Sequence, residues 1–500
     1  MDLIEKMPDL PVADNRMEKL ELAQNVTYFE AREEVVQSFE QLPSVSTPAA
    51  AYATAIDMAV GILREGQEIQ KISVIRNLPD LFESQSQDSL IKILPLIQET
   101  LRSQTKNLDL HCEGTIAYRN VLVEKSTSGE FDIVSEILRG ILTNLDEPSD
   151  SLSAAAWLET LVDVVDHLSP ESVKSDVVPA AVGQCCHKSV QRRVISSKLL
   201  EKLATKLSSQ EVKTELVPSV QALCQDTNAA VRTAMCQRMP IIAAALSLAD
   251  SAAFVLPCLI ELCNDEDTSV RESAMESIGR CMISFDKATS REIVIPLLRK
   301  CCEYALRTGD STLPVVAKNL GPWCYTLQDI MSEPDKTWFV SLFARLAALG
   351  QTNETNNGSL MTRSDPEGFC FLTPNMDADP YHTACRVWCA YNFPGIVIIF
   401  GAEKFKEHLL PIYSMYCRDS EDTVRKSIAS GFHEVVNLMK EIGDAACLIP
   451  CFVDLIKTCD SDIVSQLTPN FGLFLPTFYL SCAPTETDAN GNLIQVGGRF

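Results

Sequence analysis

Val217-Pro218, Leu223-Cys224-Gln225-Asp226, Val231-Arg232 and Ala234 form a pattern that returns as Leu256-Pro257, Leu262-Cys263-Asn264-Asp265, Val270-Arg271 and Ala274. Pro218 and Pro257, Asp226 and Asp265, and Arg232 and Arg271 each stand 39 residues apart. Several landmarks recurring at one interval in this range mark a stacked-repeat chain. Within the second copy, Val255, Leu259, Leu262 and Cys263 fall at helical spacing and form one apolar stripe. Asp265-Glu266-Asp267-Thr268 breaks it with short acceptor side chains that can cap a second helix. That second helix carries Val270, Ala274, Ile278 and Cys281 on its own stripe. Two antiparallel helices of roughly 14 residues, each about 20 Å long, leave apolar surface on two sides. A neighbouring hairpin must cover each side, so the array and not the single repeat is the folding unit.

The register extends in both directions. One period back from Pro218 and Arg232 lie Pro179 and Arg193, and one period on from Pro257 lies Pro296. Pro411 is followed by Asp419 and Val424-Arg425 at the same offsets, and Pro450 stands one period further. The interval from Pro296 to Pro411 exceeds two periods by 37 residues. The sequence places that surplus in 351–380, where Asn353, Asn356, Gly358, Pro366, Gly368 and Pro374 leave no helical period. Such an insertion is either a binding loop or a plain connecting loop. Helices are expected at 50–64, 70–82, 89–103, 109–125, 131–145 and 151–168, about ten hairpins in all. The expected organisation is an acidic, partly disordered leader over 1–45, an all-α array over 46–482 with the 351–380 insertion, and a polar tail over 483–500. The fold class is an α-solenoid of helical hairpins, a curved rod.

Composition narrows the function. The chain has 500 residues, 43 basic against 67 acidic side chains, and a net charge of −24. A field of that sign repels phosphate backbones, so nucleic acid is a poor partner. It suits a basic protein surface, or serves solubility alone. The 19 cysteines include no CxxC pair and fall mostly on apolar stripes, which fits buried reduced thiols and a cytoplasmic setting. Met1-Asp2-Leu3-Ile4-Glu5-Lys6 lacks the basic, then apolar, start of a signal peptide. No segment reads as a membrane span, because Asp250 and Ser251 interrupt the most apolar run, 239–257.

Signs of catalysis are sparse. There is no glycine-rich phosphate loop, GxSxG elbow or HExxH pair. His382, Cys385 and Cys389 share a helix face but lack an evident fourth ligand, so packing cysteines are expected there and no metal or cofactor. Cys185-Cys186-His187 cannot work as a thiol–imidazole pair, since neighbours in a helix do not face each other. The repeated Asp226, Asp265 and Asp419 and the repeated Arg232, Arg271 and Arg425 allow a charge-assisted ladder between successive repeats. The same turn edge alternatively contacts a partner. The candidate contact residues are Asn228 and Thr268 in the turns and Asn392-Phe393 beside Pro394, where the helix is expected to kink.

A proline-led first helix, an aspartate in the turn and Val-Arg opening the second helix resemble HEAT repeats. The stretches Gly66-Gln67-Glu68-Ile69-Gln70 through Ser73-Val74-Ile75-Arg76-Asn77-Leu78-Pro79, Ala156-Trp157-Leu158-Glu159-Thr160-Leu161, Leu223-Cys224-Gln225-Asp226 and Cys389-Ala390-Tyr391-Asn392-Phe393-Pro394 are similar to the HEAT-repeat regulatory subunits of type-4, PP2A-like serine/threonine phosphatases. That resemblance covers roughly 55–480. It implies a non-catalytic scaffold, itself no enzyme, that binds the phosphatase catalytic subunit and further protein substrates, with any metal belonging to the partner. It also implies a longer array, of which this chain is a shortened form. The competing expectation is a HEAT-repeat nuclear transport receptor or general protein-binding adaptor.

Overall fold

The computed structural model describes residues 48–146, 151–350, 363–364, 370–371, 379–457, 460–482, 485–487 and 493–495. The expected leader over 1–45 lies outside them, as do most of 351–380 and of the tail. The described residues fall into two compact units, divided between Thr100 and Leu101.

In the first unit, Pro48–Glu65, Glu68–Arg76 and Leu78–Ser84 are helices. The single helix expected over 70–82 breaks at Asn77, because Pro79 has no N–H to continue the ladder and sits in the first turn of a new helix. Ile75, Leu78, Phe82, Ile93 and Ile97 are fully buried in its core.

The second unit is a succession of helical hairpins. Its second helices are Leu108–Ser128, Ser151–Val164, Val190–Ala204, Ala229–Ala245, Thr268–Cys281, Thr312–Leu327, Pro380–Phe400 and Asp422–Glu441, then a broken one over 461–482. Each packs on the second helix of the next repeat along the chain. Val270, Ala274, Ile278 and Cys281 are fully buried, as are Val231, Met235 and Met239 one repeat earlier. Complete burial of an aliphatic side chain is worth about 1.5–3 kcal/mol, so each inter-repeat face adds enough to hold a hairpin that could not stand alone. The all-α, HEAT-like solenoid expected from the 39-residue period is the architecture of this unit.

The first helices correct one expectation. The register prolines do not lead them. Ser169, Ser208, Ser247 and Asp286 each cap a helix start, with side chains accepting from Ser172, Glu211, Asp250 and Thr289 N–H groups. A single π turn follows in each, for example Val212–Leu216 and Ser251–Val255. The prolines 179, 218, 257, 296 and 411 stand two residues after such a turn, well inside the helix. A proline ring clashes with the carbonyl four residues back and offers no N–H. The wider π turn absorbs both defects without ending the helix.

Pro380–Phe400 is long and apolar enough to cross a membrane by length and composition. Its buried Arg386 and Asn392 bond to neighbouring repeats, which accounts for the helix as a member of the stack. Two short antiparallel strand pairs complete the described residues, Arg363–Ser364 with Cys370–Phe371 and Thr485–Thr487 with Leu493–Gln495.

Candidate interaction edge

The turns between first and second helices line up along one edge of the second unit, joined by arginine–aspartate pairs. Arg193 holds Asp226 through Nε and Nη2 at 2.6 and 2.9 Å. Arg232 holds Asp265 the same way, at 2.7 Å for both contacts. Arg386 holds Asp419 at 2.8 and 3.3 Å. In each of these rungs the aspartate stands 33 residues after the arginine. The free guanidinium nitrogen turns back to its own repeat. Arg193 Nη1 donates to the His187 carbonyl at 2.9 Å, Arg232 Nη1 to Asp226 at 2.8 Å and Arg425 Nη1 to Asp419 at 2.5 Å. Each aspartate also caps its own turn, with Asp226, Asp265 and Asp419 accepting from the N–H groups of Asn228, Asp267 and Glu421. One side chain thus ties a turn to itself and to the next repeat, in the bidentate geometry that strengthens charge-assisted bonds.

Burial pushes the Asp226 carboxyl up, but Arg193, the Asn228 N–H and Arg232 together hold it below its ordinary value. Asp310 shows the same balance, with Thr312 and Arg271 outweighing burial. A carboxyl lowered by folding stabilises the native state above its unfolded value of 3.8 and loses that contribution as pH falls through the folded one. The thermal midpoint is therefore expected to drop as pH falls below about 4. Calorimetry of wild type and Asp226→Asn should show a shallower acid loss in the variant, and identical slopes would refute the assignment.

The ladder departs from this pattern at three points. Asp310 lies 39 residues after Arg271, not 33, and only Nη2 reaches it, at 2.6 Å. The first helix of that repeat runs on to Thr308, six residues past the usual end. Six of the surplus residues assigned to 351–380 are therefore in this helix. Second, Val316 occupies the arginine register after Asp310, and no rung follows it. In the next repeat, residues 348–379 separate the helices Glu333–Ala347 and Pro380–Phe400. There Arg386 Nη1 donates to the Leu349 carbonyl at 3.0 Å, where the regular repeats use an aspartate carbonyl, so Leu349 lies at the ladder edge. Arg425 makes the last, loose rung, 3.8 Å from Asp460. Arg386 was legible 33 residues before Asp419, and the helix caps were legible as Ser169, Ser208, Ser247 and Asp286 at 39-residue spacing.

The four candidate contact residues divide evenly. Asn228 caps Ala229–Ala245 by accepting from the Ala230 N–H, and the Thr268 hydroxyl accepts from Arg271, both at the turn edge. Asn392 and Phe393 are buried. Asn392 donates to the Ala317 and Lys318 carbonyls of the preceding repeat at 2.8 and 3.2 Å. Phe393 is fully buried, since the helix turns that face inward as Pro394 packs beside Gly431.

Among the described residues no group of three or more His, Cys, Asp or Glu could hold a metal. Burial pushes the Cys385 thiol up to about 12 and Cys389 well above its ordinary value. Cys185 is likewise raised by burial to about 12, while His187 Nδ1 accepts the Ser189 N–H and not a thiol. These sulfurs pack as small apolar groups.

Geometry and repeat together define the class: the chain is an α-solenoid of HEAT-like hairpins. A HEAT repeat model matches residues 255–285, the second copy of the opening pattern. The chain is 30% identical over 385 residues to serine/threonine-protein phosphatase 4 regulatory subunit 4 of Mus musculus, covering 77% of this chain and 42% of the relative. The Homo sapiens protein of the same name matches at the same identity, with 43% of it covered. The chain therefore spans less than half the length of these curated relatives. Solved structures agree on the fold. Kap121p bound to Nup53p superposes with a TM-score of 0.58 at 13% identity over 86% of this chain and 41% of that one. Importin beta gives 0.52 at 12% over 85% and 53%.

Proposed function

We propose that this chain is a non-catalytic regulatory scaffold that binds a type-4 serine/threonine phosphatase catalytic subunit and sets its location or substrate choice in the cytoplasm. The observation that carries this reading is the 30% identity, over 77% of the chain, to proteins named as regulatory subunits of that phosphatase. The physical organisation supports it. A repeat stack stapled along one edge offers a long, fixed surface, and its acidic charge favours a basic protein partner over nucleic acid. The transport-receptor reading has less behind it, because likeness at 12–13% identity extends to the fold alone. Purified full chain mixed with recombinant phosphatase 4 catalytic subunit should co-elute on size exclusion and be captured reciprocally. Separate elution of two folded proteins at micromolar concentration would end the proposal.

A further inference from the structure

Tyr304 stands 39 residues after Asp265, at the position where the ladder places an aspartate. Arg271, whose rung should end there, meets an aromatic ring instead. Its guanidinium carbon lies 5.4 Å from the Tyr304 ring centre. Its Nη1 is spent on the Asp265 and Glu266 carbonyls, and its Nη2 on Thr268 and Asp310. The Nε, which in the regular rungs donates to a carboxylate, is buried with no acceptor. Arg271 as a whole is 5% exposed.

The extended first helix that displaces Asp310 also opens a cavity of about 300 Å³, lined by Arg271, Lys300, Tyr304, Arg307, Glu303 and Cys263 among others. Arg307 stacks on the other cation–π contact of Tyr304 at 5.3 Å. Among the described residues neither Lys300 nor Arg307 has an ion-pair partner. The one acidic lining group, Glu303, is held bidentately by Arg345 at 2.7 and 3.0 Å. On a chain of net charge −24, the displaced rung thus leaves a concave cationic spot with an orphan buried donor.

We infer that this cavity binds a phosphate monoester dianion, presented as a phosphorylated side chain of a partner protein. Exposed Lys300 and Arg307 supply the charge, and buried Arg271 and half-exposed Tyr304 complete the lining. A dianion answers two unpaired cations better than a carboxylate does, and arginine matches phosphate oxygens in its planar fork. The site does not depend on phosphatase binding, so each can fail alone.

The test is equilibrium titration of the full chain with Gly-X-Gly peptides in which X is serine, phosphoserine or glutamate, and with inorganic phosphate. Phosphoserine peptide should bind saturably, and Lys300→Glu/Arg307→Glu should weaken it at least roughly tenfold, the scale of one charge-assisted contact. Both side chains are exposed, so the variant should fold, and a matched Lys287→Glu/Lys440→Glu control isolates the site from net charge. Equal loss in the control, no saturable binding, or equal affinity for the glutamate peptide would overturn the inference. Inorganic phosphate binding as tightly as the phosphopeptide would overturn the side-chain assignment and leave a free-anion site.

Discussion

Asp419→Ala is expected to destabilise the repeats around it by about 3–5 kcal/mol, the range for stranding a buried charge. Arg386 and Asp419 are 3% and 2% exposed, the most buried rung of the ladder. Removing the carboxylate leaves a guanidinium in a dry site with one carbonyl, that of Leu349, as compensation. It also removes the acceptor for the Glu421 N–H and so loosens the turn that Arg425 holds by its carbonyl. Asp226→Ala should cost less, about 1–3 kcal/mol, because water reaches Arg193 and can replace part of what is lost. A repeat array does not unfold as one unit, so the loss is best read by amide exchange across 380–441, where protection should fall first. Equal losses for the two variants would mean that burial does not set the strength of a rung. Replacing both members by Met and Leu should recover much of the stability, since an apolar pair carries no desolvation cost.

The fold was legible because the same physical problem is solved repeatedly at one interval. A hairpin with two uncovered faces must repeat, and Pro, Asp and Arg return wherever the turn geometry returns. The ladder was legible as to residue types, since Asp226, Asp265 and Asp419 with their arginines share one offset. Its partners were not fully so. The rung joins each arginine to the following repeat, and an extension of the first helix, as at 303–308, moves the partner without changing any motif. The signal at Tyr304 was an absence, an aromatic where an acid was due, and absences do not show in a pattern search. The π turns were hidden for a different reason. A proline after a helical stripe looks the same whether it begins a helix or rides inside one, and the serine and aspartate caps ten residues upstream distinguish the two. Asn392-Phe393 beside Pro394 fits either a contact at a kink or core packing with a bend, and the sequence does not show that the amide reaches back to the preceding repeat from a buried position.

Phe393→Ala carries the other large expected effect, a loss of about 3–5 kcal/mol. The ring meets Phe343 at 4.9 Å, Tyr413 at 5.1 Å, Tyr416 at 5.8 Å and Phe405 at 6.2 Å, all edge to face. Phe343 belongs to the first helix of its own repeat, and the other three to the first helix of the next. One side chain therefore joins two hairpins, and truncating it opens a cavity at their seam. Collapse into that space is restrained, because the Tyr416 hydroxyl donates to the Ala347 carbonyl at 2.8 Å and cannot shift without breaking a buried bond. Phe393→Leu should retain most of the stability, since it keeps much of the volume. Tyr391→Ala, two residues away and 41% exposed, should change it by no more than about 0.5 kcal/mol. Were Phe393 instead a partner contact, its alanine variant would keep full exchange protection over 333–441 and lose phosphatase capture. The buried position requires the opposite order: protection falls first, and capture falls to the extent that the two repeats separate.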